Sequence, residues 1–331
     1  MDAYDRELAG ELQSSLPDNI FDMHAHPFLK QQLDIESTPI LGELPRNGGI
    51  ESWKEAVGFQ VGEKRLKGGL FFGLPILPGD NLPGRIREMN IFIQNELEQA
   101  KTLERRGLML ISHLMEPSDA EKMLSSSPLI AGFKPYMTLN PGCTFTSDIP
   151  AYLPEWALEL ANQKNLVITL HIIKPKALSD DRNIKEIKRI CKSYPSMKLV
   201  LAHCGCGFNM YNTINGIREL AGIENLWFDT SAVCEAPAIM ALLRKYGPKR
   251  LMWGTDYPIS VRKGKIVTMG DMYFGIQNNT VIHDRIPSGC NLALLGLEQL
   301  RAMVYAISEC GLKDRDVEDV FYNNAKDLLK I

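Results

Sequence analysis

The chain has 331 residues, enough for one large α/β barrel or two ordinary domains, and its 45% hydrophobic and 23% charged residues argue against disorder. A net charge of -3, with bases scattered among acids, leaves no electrostatic footprint for nucleic acid, and no apolar stretch approaches the roughly 18 residues a spanning helix needs. The acidic, helical opening lacks a basic and then apolar leader, and seven cysteines without framework spacing fit reduced thiols, so a cytoplasmic soluble protein is expected.

Short apolar runs alternate with stretches of helical spacing along the chain. The first predicted strand, near 19–26, ends on Asp22, His24 and His26, and residues 29–67 after it read as an insertion that includes the helical 52–65. A strand near 69–74 precedes a helix over 85–103, and a third near 108–114 ends at His113 before a helix over 118–125. The fourth, near 129–137, carries Lys134 and leads to a helix over 154–163. The fifth, near 166–172, ends at His171, and the sixth, near 199–204, at His203, with helices over 183–193 and 211–220 behind them. Strands near 226–231 and 251–255 flank a helix over 236–246, and Asp256 follows the last of them. A second insertion, 258–291, bears Arg262, Lys263, Lys265 and His283, and a helix over 314–329 is expected against the barrel exterior.

Eight strands alternating with helices, nearly continuous in apolar character, predict a parallel sheet closed as a TIM-type (β/α)8 barrel with insertions after strands 1 and 8. No linker, duplication or low-complexity tract interrupts it, so residues 1–331 read as a single domain.

Two-residue periodicity puts His24 and His26 on one face, about 7 Å apart along the strand. It turns Met23 and Ala25 toward the helical layer, and leaves Asp22 inward and deeper, placed to orient a ligand histidine. Any one strand-end histidine is more often a hydrogen-bonded core residue. Four of the six histidines at three strand ends, with an aspartate after the eighth, converge in a closed barrel and point to a divalent metal. His113 reads either as a substrate contact or as an ordinary hydrogen-bonded histidine. Lys134 reads as a salt-bridged lysine, an anchor for an anionic substrate group, or a carboxylated bridge between two metals. His283 carries no special weight, and Cys204-Gly-Cys206 is too tight for a zinc-ribbon hook.

The motifs Phe-Asp-Met-His-Ala-His, Gly-Phe-Lys-Pro, Val-Ile-Thr-Leu-His, Leu-Ala-His-Cys-Gly, Trp-Phe-Asp-Thr-Ser, Trp-Gly-Thr-Asp-Tyr-Pro and Val-Phe-Tyr-Asn-Asn-Ala follow one another across residues 19–328. This ordered set resembles the amidohydrolase superfamily, and more narrowly the amidohydrolase-related branch that includes aminocarboxymuconate-semialdehyde and resorcylate-type decarboxylases. The resemblance implies that His24, His26, His171 and Asp256 hold one catalytic divalent ion, and that His203 acts as acid or base or, in two-metal members, as another ligand. Three imidazoles and a carboxylate suit Zn²⁺ first and admit Mn²⁺, Co²⁺ or Fe²⁺.

The reaction expected is metal-activated water attacking an amide, lactone or similar carbonyl, with Asp256 shuttling the proton and His203 assisting. Lys134 and the late-loop cations favour a small substrate bearing a carboxylate. The alternative is nonoxidative decarboxylation, with His203 as proton donor. The resemblance also suggests a homodimer.

Overall fold

The computed structural model describes residues 1–38, 41, 42, 44–277 and 290–331. His283 lies outside them. Eight parallel strands form one sheet, β1 (Ile20–Ala25), β2 (Leu66–Phe71), β3 (Glu104–Ile111), β4 (Ile130–Pro135), β5 (Val167–Leu170), β6 (Lys198–Leu201), β7 (Leu226–Asp229) and β8 (Leu251–Met252), in sequence order. Past β8 the chain rejoins β1. Met23 N–H donates to the Trp253 carbonyl at 3.0 Å, Asp256 N–H to the His24 carbonyl at 2.8 Å and His26 N–H to the Tyr257 carbonyl at 2.8 Å. These bonds close the expected (β/α)8 barrel.

A helix follows every strand: α2 (Ile50–Val61), α3 (Leu82–Gln99), α4 (Pro117–Ser126), α5 (Glu155–Lys164), α6 (Asp181–Ser193), α7 (Met210–Gly216), α8 (Ala236–Tyr246) and α9 (Leu295–Glu309), with α1 (Ala3–Gln13) ahead of β1. Helix α6 shows why they form and where they pack. Ile184, Ile187, Ile190 and Cys191 recur at helical spacing and are buried, and the Asp180 side chain caps the free N–H groups of Arg182 and Asn183 at 3.0 and 3.1 Å. The helical stretch expected inside the first insertion is α2 itself, the ordinary β1-to-β2 crossover, so the insertion proper is the shorter loop before it. Among the described residues no helix is long and apolar enough to cross a membrane.

Two packing details differ from the sequence expectation. Strand β1 is not regular: its register against β2 shifts between Asp22 and Ala25, with three steps along β1 matching two along β2. Phe21 and Met23 therefore face the barrel interior, in one buried cluster with Leu70, Leu108, Val167, Val200 and Met252 from five other strands. Asp22 faces outward, where the Trp53 indole N–H of α2 donates to it at 2.8 Å and the Thr255 backbone N–H at 2.9 Å. The extra residue at the bulge restores the inward direction for His24 and His26.

The C-terminal helical run also lies elsewhere than on the barrel's outer wall. It consists of Asp314–Glu318, a π turn over Asp319–Asn323, and Asn324–Leu329. Its Ala325, Leu328 and Leu329 join the interior cluster of Phe21 and Met23. Its polar contacts go to strand beginnings: Tyr322 donates to Glu104 at 2.8 Å, the Lys330 carbonyl just after it accepts from the Arg106 guanidinium at 3.0 Å, and Asn324 donates to the Leu251 carbonyl at 2.8 Å. The run plugs the N-terminal mouth of the barrel and leaves the opposite mouth for chemistry.

Candidate metal centre

At the C-terminal mouth, three side chains from two ends of the sequence meet. His24 Nε2 lies 3.1 Å from His26 Nε2, and Asp256 Oδ1 lies 3.4 Å from the first and 3.2 Å from the second. His203, just past β6, completes a group in which one donor atom each from His24, His203 and Asp256 falls within 4.8 Å of the others. All four residues are buried. His203 and Asp256 hold left-handed backbones, φ 56° and 61°, that non-glycine residues rarely adopt. Strain of this kind, of order 1–3 kcal/mol per residue, persists where surrounding structure enforces it.

The second nitrogen of each imidazole fixes which nitrogen is free. His24 Nδ1–H donates to Asp229 Oδ2 at 3.0 Å, His26 Nδ1–H to the Gly73 carbonyl at 3.1 Å, and His203 Nδ1–H to the Ser231 carbonyl at 2.9 Å. Their Nε2 atoms are left as lone pairs. Two such lone pairs at 3.1 Å, with a carboxylate oxygen beside both, repel one another unless a cation is shared among them. The donor set therefore fits a divalent metal ion.

The electrostatics agree. Burial lowers the His24 imidazole to about 3 despite the nearby Asp229 carboxylate, and burial likewise lowers His26 and His171, so these rings stay neutral at pH 7. Burial pushes the Asp256 carboxyl up, and the opposing pull that holds it well below the usual carboxylate range is that of His203, His26 and His24 in their proton-bearing form. The Lys134 ammonium, 1% exposed, lies 4.9 Å from the Phe72 ring centre and 5.9 Å from that of Tyr136. Burial lowers it to about 8, against the opposing pull of Asp229 and Asp256.

His24, His26, His203 and Asp256 are thus drawn together, while His171 stands one ring further out. Its centroid is 4.9 Å from that of His203 and 5.0 Å from that of Tyr136. His113 is not brought in: it is exposed, and its Nε2 pairs with the Pro150 carbonyl at 2.8 Å, tying the end of β3 to the next loop. The late-loop lysines also face elsewhere. Lys263 binds Asp2 and Asp5 at 2.7 Å, locking α1 to the loop, and Lys265 pairs with Glu298 at 3.2 Å.

Asp22, expected to orient a ligand histidine, is replaced in that role by Asp229. The latter also accepts from His203 N–H at 3.0 Å and Ser231 N–H at 3.1 Å, so one carboxylate positions both histidines. An acid ending the seventh apolar run, in Trp-Phe-Asp-Thr-Ser, was the available signal.

The family model described as Amidohydrolase matches residues 144–331, more than half of the chain and the part that supplies His171, His203, Asp229 and Asp256. The chain belongs to the amidohydrolase family. Solved structures extend the likeness of this amidohydrolase over the whole barrel. A zinc-bound amidohydrolase from Burkholderia multivorans aligns with TM-score 0.61 at 14% identity, covering 95% of this chain and 99% of that one. A probable 2-pyrone-4,6-dicarboxylic acid hydrolase from Acinetobacter baumannii, with citric acid bound, aligns at 0.58 and 16%, covering 95% and 100%. A dihydroxybenzoic acid decarboxylase from Polaromonas sp. JS666, with manganese and the inhibitor 2-nitroresorcinol, aligns at 0.58 and 13%, covering 95% and 97%. At these identities the likeness is one of fold. No curated protein is significantly similar to the chain in sequence.

Proposed function

We propose that the chain is a cytoplasmic metal-dependent hydrolase acting on an amide, lactone or similar carbonyl of a small carboxylate-bearing molecule. One divalent ion, zinc first, would be held by His24, His26 and Asp256, with His171, one ring further out, as the remaining ligand, and His203 is kept for proton transfer. The observation that carries this reading is the convergence of unprotonated His24 and His26 Nε2 atoms on the ionised Asp256. The zinc in the B. multivorans relative supports the choice of metal. When bound, such an ion supplies an acidified water and a polarised carbonyl.

The residues do the rest. Asp256 presents an ionised carboxylate beside His24 and His26, the group placed to take the proton. His203, its Nδ1 fixed by Ser231, presents Nε2 to pass that proton toward a leaving group. Lys134, with no hydrogen-bond partner among the described residues, offers its cation to the substrate carboxylate.

Decarboxylation is the second reading, favoured by the manganese-bound decarboxylase among the fold's neighbours. Zinc-loaded protein offered lactones, N-acyl amino acids and carboxylated aromatics separates the two. Hydrolysis predicts acid formed without gas, abolished in Asp256→Ala; carbon dioxide released with no carbonyl cleavage would establish the lyase instead.

A further inference from the structure

The outer wall of the barrel carries a groove that the chemistry above does not use. It lies between α7, continued by the turn Ile217–Leu220, and α8, and it encloses about 490 Å³, within the range of small-molecule sites. Both segments return from the reactive mouth to the plugged one between successive parallel strands, so they run in the same direction. The Tyr246 hydroxyl donates to the Leu220 carbonyl at 2.5 Å and ties their last turns together.

The sequence sorts this groove by polarity along its length. Ile214, Ile217, Met240 and Ala241 make the floor, with Ile217 buried and the other three half-buried. Arg218, Arg244 and Lys245 follow them in the last turns, so three cations gather at the tied end. All three are exposed, and none has a hydrogen bond or ion pair among the described residues. Glu219, the acid next in sequence, is turned to Lys188 at 3.2 Å. Among the described residues no acid lines the groove, although the chain has 40 acidic and 37 basic residues, so the local charge runs against the composition. Cations at helix C-termini also complement the helix dipole, but that does not account for an open apolar floor beside them.

We infer that this groove binds a free long-chain carboxylate, its alkyl tail along Ile214 and Met240 and its head against Arg218, Arg244 and Lys245. Charge confined to one end suits a ligand with a head and a tail. An acidic amphipathic helix carries its charges along its whole polar face, and a bilayer is met by a projecting apolar face, not a recessed one. The metal centre, inside the barrel mouth, takes no part.

The test titrates sodium dodecanoate, kept below its micellar concentration, into the zinc-loaded full chain by calorimetry. Saturable binding at one site is expected. Octanoate should bind at least about tenfold more weakly, since each fully buried methylene contributes about fourfold. Arg218→Ala combined with Arg244→Ala should weaken dodecanoate about threefold to tenfold, and Met240→Glu should weaken it as well, with zinc content unchanged and each variant folded. Binding should persist after zinc removal, which separates it from a carboxylate held at the metal centre. Dodecyltrimethylammonium bound as tightly as dodecanoate, an affinity unmoved in the double variant, binding lost with the zinc, or no saturable binding would overturn the inference. Association with phosphatidylglycerol vesicles or with a synthetic acidic amphipathic peptide, without dodecanoate binding, would overturn it too and give the groove to a membrane or a protein partner.

Discussion

Asp229 is the residue at which orientation and ligation separate. It contacts His24 Nδ1 and the His203 backbone, not the converging Nε2 atoms. Removing its charge in Asp229→Asn leaves the donor atoms in place but loosens the tautomer and ring angle of His24. Zinc affinity should fall about 10- to 100-fold by chelator competition, as for other orienting partners of metal ligands. An unchanged dissociation constant would contradict its assignment.

Titration at the same site has a definite sign. The folded His24 imidazole, lowered from 6.5 to about 3, is unprotonated where the unfolded one takes a proton, so unfolding gains protons as pH falls through that window. His26 and His171 act in the same direction. Asp22, raised from 3.8 to about 6 by burial, acts oppositely, since the folded form holds the extra proton there. Three histidines against one carboxyl predict that the metal-free protein melts at progressively lower temperature from pH 6.5 to pH 4.5. A flat or rising melting temperature would show that the rings are not held neutral.

At the scale of elements, the contact between β1 and the end of β8 sets the site. A Cβ built on Gly254 would stand 2.9 Å from His24 Cβ and 3.1 Å from its backbone nitrogen, neither of which can swing away. Gly254→Ala should therefore push β1 outward and lower zinc loading more than it lowers stability. Parallel metal analysis and thermal melts check this, and full loading in the variant would contradict it.

The same strand shows what sequence periodicity reaches and where it stops. The apolar runs located all eight strands, and His24 and His26 lie on the barrel's inner side as spacing by two suggests. The face assigned to Met23 and Asp22 was reversed, because the bulge between Asp22 and Ala25 adds one residue that no composition marks. The role of Asp229 is not legible in the sequence for another reason. Its role depends on strand neighbours distant in sequence, and Asp22, two residues before His24, offered a nearer but outward-facing carboxylate.

At the scale of the whole molecule, the barrel divides into a plugged mouth and a reactive one. The terminal run was legible as a helix, but its place was not, since an amphipathic helix on the wall and one across the mouth bury similar stripes. Phe321 stacks on Trp253 at 5.7 Å, and the Val320 carbonyl accepts from Trp253 N–H at 3.0 Å. Phe321→Ala should cost about 3–5 kcal/mol of stability, read by denaturant unfolding. Zinc affinity in the folded fraction should persist, because the plug lies at the opposite mouth. A loss below about 1 kcal/mol would mean that the plug adds little to the core.

The pairing of Lys263 with Asp2 and Asp5 at the rim likewise shows that charge in a late loop is not charge in a site. The short carboxylates of α1 reach it first.

The proposed chemistry depends on a cation shared by His24, His26 and Asp256. Elemental analysis of the full chain, dialysed against zinc and then against buffer, tests that most directly. The prediction is about one zinc ion per chain in the wild type and a large loss in both His24→Ala and Asp256→Ala, with each variant still folded. Zinc retained at the wild-type level in both variants would contradict it.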